Sequence, residues 1–147
     1  MISSETKIRV RYADTDQMKM VYYGKYFEYF ENGRSDLLRN IGLPYPEIER
    51  MGYFLPVIEA HANYLKSARY DDLIEVLTFL KEIPLARIRI EYEIHSTEPR
   101  ELLVEGFTIH SFINSATGKP TRAPSELVKA IEANLHSKTA VEQLELR

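Results

Sequence analysis

At 147 residues the chain fits one domain large enough to bury a real core, and its 44% apolar and 28% charged content is that of an ordinary soluble fold. A net charge of −3 gives no general pull towards nucleic acid, and the lack of cysteine excludes disulfides, a thiol nucleophile and thiolate metal sites. Residues 1–12 are charged and polar with no secretory pattern, and no apolar run approaches the roughly 18 residues of a membrane span. The expected compartment is therefore the cytoplasm, with no membrane partner.

The first predicted element is a strand in which Ile8, Val10 and Tyr12 alternate with Lys7, Arg9 and Arg11. It runs into Asp14-Thr15-Asp16, a short loop, and a helix over Gly24 to Arg39. Tyr26, Phe27, Phe30, Leu37 and Leu38 make the apolar stripe of that helix. Gly33 sits inside it at a cost of about 1 kcal/mol relative to Ala, which a close approach to a packed sheet would justify. Gly42 ends the helix, and Pro46 to Met51 forms a short second one broken at Gly52.

Four strands follow. Pro56 to Lys66 alternates Ile58, Ala60, Ala62 and Tyr64 against Glu59, His61 and Asn63. Asp72 to Lys81 is apolar throughout, as a central strand is. Ala86 to His95 alternates Ile88, Ile90, Tyr92 and Ile94 against Arg87, Arg89, Glu91 and Glu93, and Leu102 to Ile113 is a long strand after the turn at Thr97 to Arg100. Pro120 to Arg122 extends the sheet. A last helix begins at Pro124-Ser125-Glu126 and turns Leu127, Val128, Ile131 and Leu135 inward. The expected domain is 1–137, with a charged tail at 138–147. Consecutive strands joined by short turns, with one long helix, describe an α+β fold: an antiparallel sheet wrapping a helix.

Two acids at a strand-to-helix junction have two readings. Asp is common in turns and at helix starts. A carboxylate beside free helix-start N–H groups also suits acting as a base next to a carbonyl that those groups polarise. The residues around the pair favour the second. Asp14-Thr15-Asp16, Met18, Val21-Tyr22-Tyr23, Tyr26, Glu31 and Gly33-Arg34, with Leu55-Pro56-Val57 and Ala68-Arg69-Tyr70-Asp71-Asp72 downstream, resemble the signature of the 4-hydroxybenzoyl-CoA thioesterase family of hotdog-fold proteins. The resemblance spans about residues 7 to 135.

It implies a hotdog fold, hydrolysis of acyl-CoA thioesters without cofactor or metal, and a homodimer or homotetramer formed by pairing edge strands, of which 56–66 is the natural one. It places the catalytic carboxylate at Asp16, acting as general base or nucleophile, and makes Asp14 a loop acceptor. Tyr23 falls at the helix start that faces the thioester carbonyl, and Ser67 at a hydroxyl that holds the attacking water across the dimer interface. Substrate contacts fall to Val21 and Tyr22 and to the cations Lys19, Lys66, Arg69 and Arg87, which would meet coenzyme A phosphates. Lys81 and Arg89 are further candidates. Alternative acyl carriers are acyl carrier protein, or no chemistry at all in a non-catalytic acyl-binding module.

Competing carboxylates are Glu59 and Glu31, although Glu31 has a simpler account as an i, i+3 partner of Arg34. The four histidines share no ligand or triad spacing. Two departures from the family stand out. Lys19 occupies the place of a glycine, so it either strains a turn that needs positive φ or pairs with Asp16. The basic cluster after the third strand is reduced to Pro84-Leu85-Ala86-Arg87.

Overall fold

A computed structural model describes residues 1–135. The boundary expected at 137 and the tail at 138–147 lie outside the described residues. Strand β1 (Ile2–Arg9) leads through a 3-10 turn at Tyr12–Asp14 to α1 (Lys25–Asn40) and α2 (Tyr45–Arg50). Then come β2 (Tyr53–Phe54), β3 (Val57–Tyr64), β4 (Leu73–Leu80), β5 (Arg87–Ser96), β6 (Leu102–Asn114), β7 (Pro120–Thr121) and α3 (Ser125–Leu135). The seven strands form one antiparallel sheet running β1-β4-β5-β6, with β2 and β3 on β6 and β7 pairing the end of β6. This is the helix-wrapping antiparallel sheet expected from the element order.

The helix α1 covers one sheet face because its stripe matches the pleat. Tyr26, Tyr29, Phe30, Gly33, Leu37 and Leu38 are buried beneath it, and Ile88, Ile90, Tyr92 and Ile94 face it from β5. Phe30 stacks on Tyr92 at 4.3 Å, a contact worth about 0.5–1.5 kcal/mol beyond its area. Gly33 is the close approach the sequence implies: a β-carbon there would stand 2.9 Å from Val76 Cγ1 and collide with Thr78. Gly42 and Gly52 sit at φ +87° and +96°, ending α1 and α2. The α3 residues Leu127 and Ile131 complete the core.

Two expectations need correction. The first strand begins at Ile2 and stops at Arg9, pairing with β4 from Ile2↔Leu80 to Arg9↔Leu73. Ser3 and Ser4 are buried in it, so its early residues carry no apolar alternation to read. Tyr12 lies beyond it, 73% exposed, with its ring edge against Tyr70. The second is β3: a register shift between Val57 and Glu59 breaks the alternation, and every residue but Ala62 is exposed. Among the described residues its one strand neighbour is β6, so there β3 is an open edge with Val57, Ile58 and Tyr64 uncovered.

Candidate active site

The loop that carries Asp14 and Asp16 is built where β1 runs out. Val10 N–H donates to Asp72 C=O and Val10 C=O accepts from Asp71 N–H, which holds residue 10 against the start of β4. The chain then turns and drops Asp14 into the interior, where it is 2% exposed. Its Oδ2 accepts from Arg11 N–H at 3.1 Å and from the Tyr29 hydroxyl at 3.0 Å, and its Oδ1 lies 3.2 Å from the Arg11 guanidinium and 3.6 Å from Lys25 Nζ. Burial alone would raise the Asp14 pKa, but these hydrogen bonds and the Arg11 charge outweigh it and hold it below the usual carboxylate value. The same contact and burial push the Tyr29 phenol far above its ordinary range. Asp14 is thus the loop acceptor expected of it.

Residues 14–22 then fold back on themselves. Tyr22 N–H donates to Asp14 C=O, Thr15 bridges Val21, and Asp16 N–H donates to Met20 C=O. At the tip, Asp16 Oδ1 accepts from Met18 N–H at 2.8 Å and Met20 N–H at 3.3 Å. Among the described residues Oδ2 takes no hydrogen bond, and Asp16 is only half-buried. One oxygen is therefore fixed by the loop while the other is left to the solvent side.

Lys19 sits at φ 63°, the left-handed conformation that glycine adopts freely. The turn alternative for the glycine-to-lysine departure holds, while the pairing alternative does not: Lys19 is exposed and makes no ion pair with Asp16. Val21 N–H donates to Ala68 C=O, Met20 bridges Arg69, and Tyr70 N–H donates to Lys19 C=O. The 68–70 segment is thereby joined to the Asp16 loop of its own chain. Ser67 precedes it, exposed.

The helix start is tied to this loop. Lys25 N–H donates to Tyr22 C=O, and Tyr64, at the end of β3, donates its hydroxyl to Tyr23 C=O at 3.0 Å. Gly24 is the N-cap and brings no side-chain cap. Among the described residues the N–H groups of Tyr23 and Gly24 meet no protein acceptor. They and the positive end of α1 are available to a ligand oxygen.

The remaining candidates divide. Tyr22 and Tyr23 are exposed with rings 4.5 Å apart, but Val21 is 4% exposed and serves the core rather than a surface. Arg69 is exposed and, like Lys19, without an ion pair among the described residues, so both cations are free beside the loop. Lys66 is instead paired with Glu101 at 2.9 Å. Arg87 begins β5, opposite Ser111, at the far end of that strand from the Ser96–Ile74 pair nearest the loop. Lys81 pairs with Glu91, and Arg89 stacks over Phe107. Glu59 shares its face of β3 with His61, which stacks on Phe107, away from α1.

The expected Glu31–Arg34 pair is absent. Arg34 turns inward instead, with no carboxylate within 4.0 Å among the described residues. Tyr29 and Arg11 escaped the sequence reading, although Tyr29 lies one turn after Tyr26 on the buried side of α1.

Residues 10–131 match the model of the thioesterase-like superfamily. The chain belongs to that family. A Bacillus subtilis protein carrying the provisional name of acyl-CoA thioesterase is 30% identical over 117 residues, 80% of this chain and 84% of that one. An acyl-acyl carrier protein thioesterase of Arabidopsis thaliana chloroplasts is 27% identical over 123 residues, 84% of this chain and 64% of its own. The solved DHNA-CoA thioesterase of Staphylococcus aureus superposes with a TM-score of 0.83 at 32% identity, covering 95% of this chain and 99% of that one. The hotdog thioesterase fold expected from the Asp14–Arg34 motif is therefore the fold present.

Proposed function

We propose that this protein is an acyl-CoA thioesterase whose general base is Asp16. The observation that carries the reading is the division of labour at the loop tip: Asp16 Oδ1 is locked by two backbone N–H groups, while among the described residues Oδ2 takes no partner, on a loop that leads into a helix start with unused donors. In this reading the thioester oxygen lies on the N–H groups of Tyr23 and Gly24, which meet the charge it gains as water attacks. Asp16 Oδ2 takes the proton of that water. The tetrahedral intermediate then expels the coenzyme A thiolate, which recovers the proton, and the carboxylic acid leaves. Direct attack by Asp16, through a mixed anhydride, is the alternative route. Ser67 would steady the water, Tyr22 would line the entrance, and Lys19 and Arg69 would meet the phosphates.

The open β3 edge supports a homodimer formed by β3–β3 pairing, or a tetramer built from two such dimers. Among the described residues no helix is long and apolar enough to cross a membrane, and a coenzyme A substrate suits a cytoplasmic setting. Likeness to the chloroplast enzyme supports a second reading, in which acyl carrier protein delivers the acyl group and the free Lys19 and Arg69 meet its acidic surface. Thiol release from matched acyl-CoA and acyl-carrier-protein thioesters tests both. Faster turnover of the coenzyme A ester supports the first reading, the reverse order supports the second, and no release from either contradicts both.

A further inference from the structure

Three tyrosine rings form a chain of contacts beside the Asp16 loop, Tyr64 with Tyr26 at 5.5 Å and Tyr26 with Tyr29 at 5.9 Å. Each hydroxyl holds a different part of the site. Tyr29 donates to Asp14, Tyr26 accepts from Ala68 N–H, and Tyr64 donates to Tyr23 C=O at 3.0 Å. The first two contacts are buried and fasten the loop and the 68–70 segment to α1. The third is exposed, where water can replace a hydroxyl and the bond adds little to stability.

The carbonyl that Tyr64 holds belongs to the peptide unit between Tyr23 and Gly24. That same unit carries Gly24 N–H, one of the two donors assigned above to the thioester oxygen. In a planar trans peptide the C=O and the N–H point in opposite directions. Tyr64 therefore reaches the unit from behind and leaves the N–H side open. A hydrogen bond on the C=O strengthens the N–H as a donor, by about 10–30% per bond in a chain. It also fixes the tilt of the peptide plane, which Gly24 restrains least of any residue and which no side-chain cap holds. Tyr64 is placed for this by β3: it pairs with Val104 of β6, and its ring leans on Tyr26 of α1. Burial, and then the Tyr23 phenol, raise the Tyr64 pKa, so the hydroxyl keeps the proton it donates.

We propose that Tyr64 is a positioning residue for thioester hydrolysis: its hydroxyl orients and polarises the Tyr23–Gly24 peptide, so that Gly24 N–H meets the charge growing on the thioester oxygen. The edge strand β3 thereby acts on the reaction without touching substrate. The proposal rests on the acyl-CoA thioesterase reading above.

Tyr64→Phe keeps the ring on Tyr26 and removes only the hydroxyl. The ester is hexanoyl-CoA or phenylacetyl-CoA, whichever the wild type hydrolyses faster. With it, kcat should fall about 3- to 10-fold, the range of one lost hydrogen bond, while KM and melting temperature stay near wild type. The second readout is the infrared carbonyl stretch of that ester, isotope-labelled at the thioester carbon and bound to slow Asp16→Asn protein. Adding Tyr64→Phe should move the band to higher frequency, because a weaker donor polarises the carbonyl less. A merely structural tyrosine would lower the melting temperature and leave the band in place. If Tyr64→Phe does not fold, 3-fluorotyrosine at position 64 decides: this near-isosteric and more acidic phenol should move the band to lower frequency, and an unmoved band overturns the proposal. Unchanged kcat, an unmoved band, or a raised KM with kcat intact in folded Tyr64→Phe overturns this proposal alone. Failure of the wild type to hydrolyse either ester overturns the thioesterase reading and this proposal with it.

Discussion

Asp14 and Asp16 stand two residues apart on one loop, yet their surroundings give them opposite properties. Asp14 is buried and surrounded by donors from two places in the chain: Arg11 just before it, and Lys25 and Tyr29 of α1. Asp16 is half-exposed and held by one oxygen only, with both donors coming from its own turn. The first carboxylate knits β1, α1 and the loop together. The second has been positioned without being used up. Sequence spacing makes the two look equivalent, and solvation and bonding separate them.

That contrast predicts opposite outcomes for the same chemical change. Asp14→Ala removes a buried charge and strands the Tyr29 hydroxyl and the Arg11 amide, so it should cost about 3 kcal/mol of stability, read from the denaturant midpoint. A variant within 0.5 kcal/mol of wild type, by order of magnitude a surface effect, would contradict the anchoring role of Asp14. Tyr29→Phe removes one donor and should cost about 1 kcal/mol, with activity less affected than stability.

The pH dependence of stability sharpens the same comparison. The folded pKa of Asp14 is depressed, so its contribution is present above the ordinary carboxylate value near 4 and is lost as pH falls through the lower folded value. His110 is held neutral by burial with its folded pKa also lowered, so a separate loss begins as pH falls below about 6.5. Melting temperature should therefore decline in two steps on acidification. The folded pKa of His95 is likewise lowered by burial, so His95 shares the upper step. His110→Asn should therefore shrink that step and Asp14→Asn should remove the lower; one smooth transition in the wild type would count against both assignments.

The smallest effect is expected at Lys19. A left-handed L-residue costs about 1–2 kcal/mol, and glycine gives back about 0.5–1 kcal/mol through the unfolded chain. Lys19→Gly should therefore stabilise by about 0.5–1 kcal/mol. Because Lys19 makes no ion pair with Asp16, the acid limb of the pH–rate profile should stay in place. If Lys19 meets a substrate phosphate, KM rises; if it does not, the kinetics are unchanged.

Much of the fold was legible because its signals are local. Clean alternation in β5, the apolar run of β4 and the glycines after α1 and α2 each follow from a few neighbouring residues. The start of β1 was not, because Ser3 and Ser4 owe their burial to β4, some 75 residues away along the chain. The site divides in the same way. The motif located the Asp16 loop, and the positive φ of Lys19 follows from a glycine being the family's choice. The inward turn of Arg34 depended on what faces α1 across the core, so i, i+3 spacing to Glu31 suggested a pair that the sheet side overrides. The clasp of Arg69 and Tyr70 on the loop was equally invisible, being a tertiary bridge between segments some 50 residues apart.

In the proposed chemistry Asp16 is a poised base rather than a turn residue. Asp16→Asn preserves the amide oxygen that accepts from Met18 and Met20, so stability should stay within about 0.5 kcal/mol. Thioester hydrolysis should nevertheless fall by about 10²- to 10⁴-fold. Measuring both on the same preparation, with the acyl-CoA ester the wild type prefers, separates the alternatives. Lost turnover in a protein of unchanged stability is the predicted result, and near-native turnover would contradict the claim.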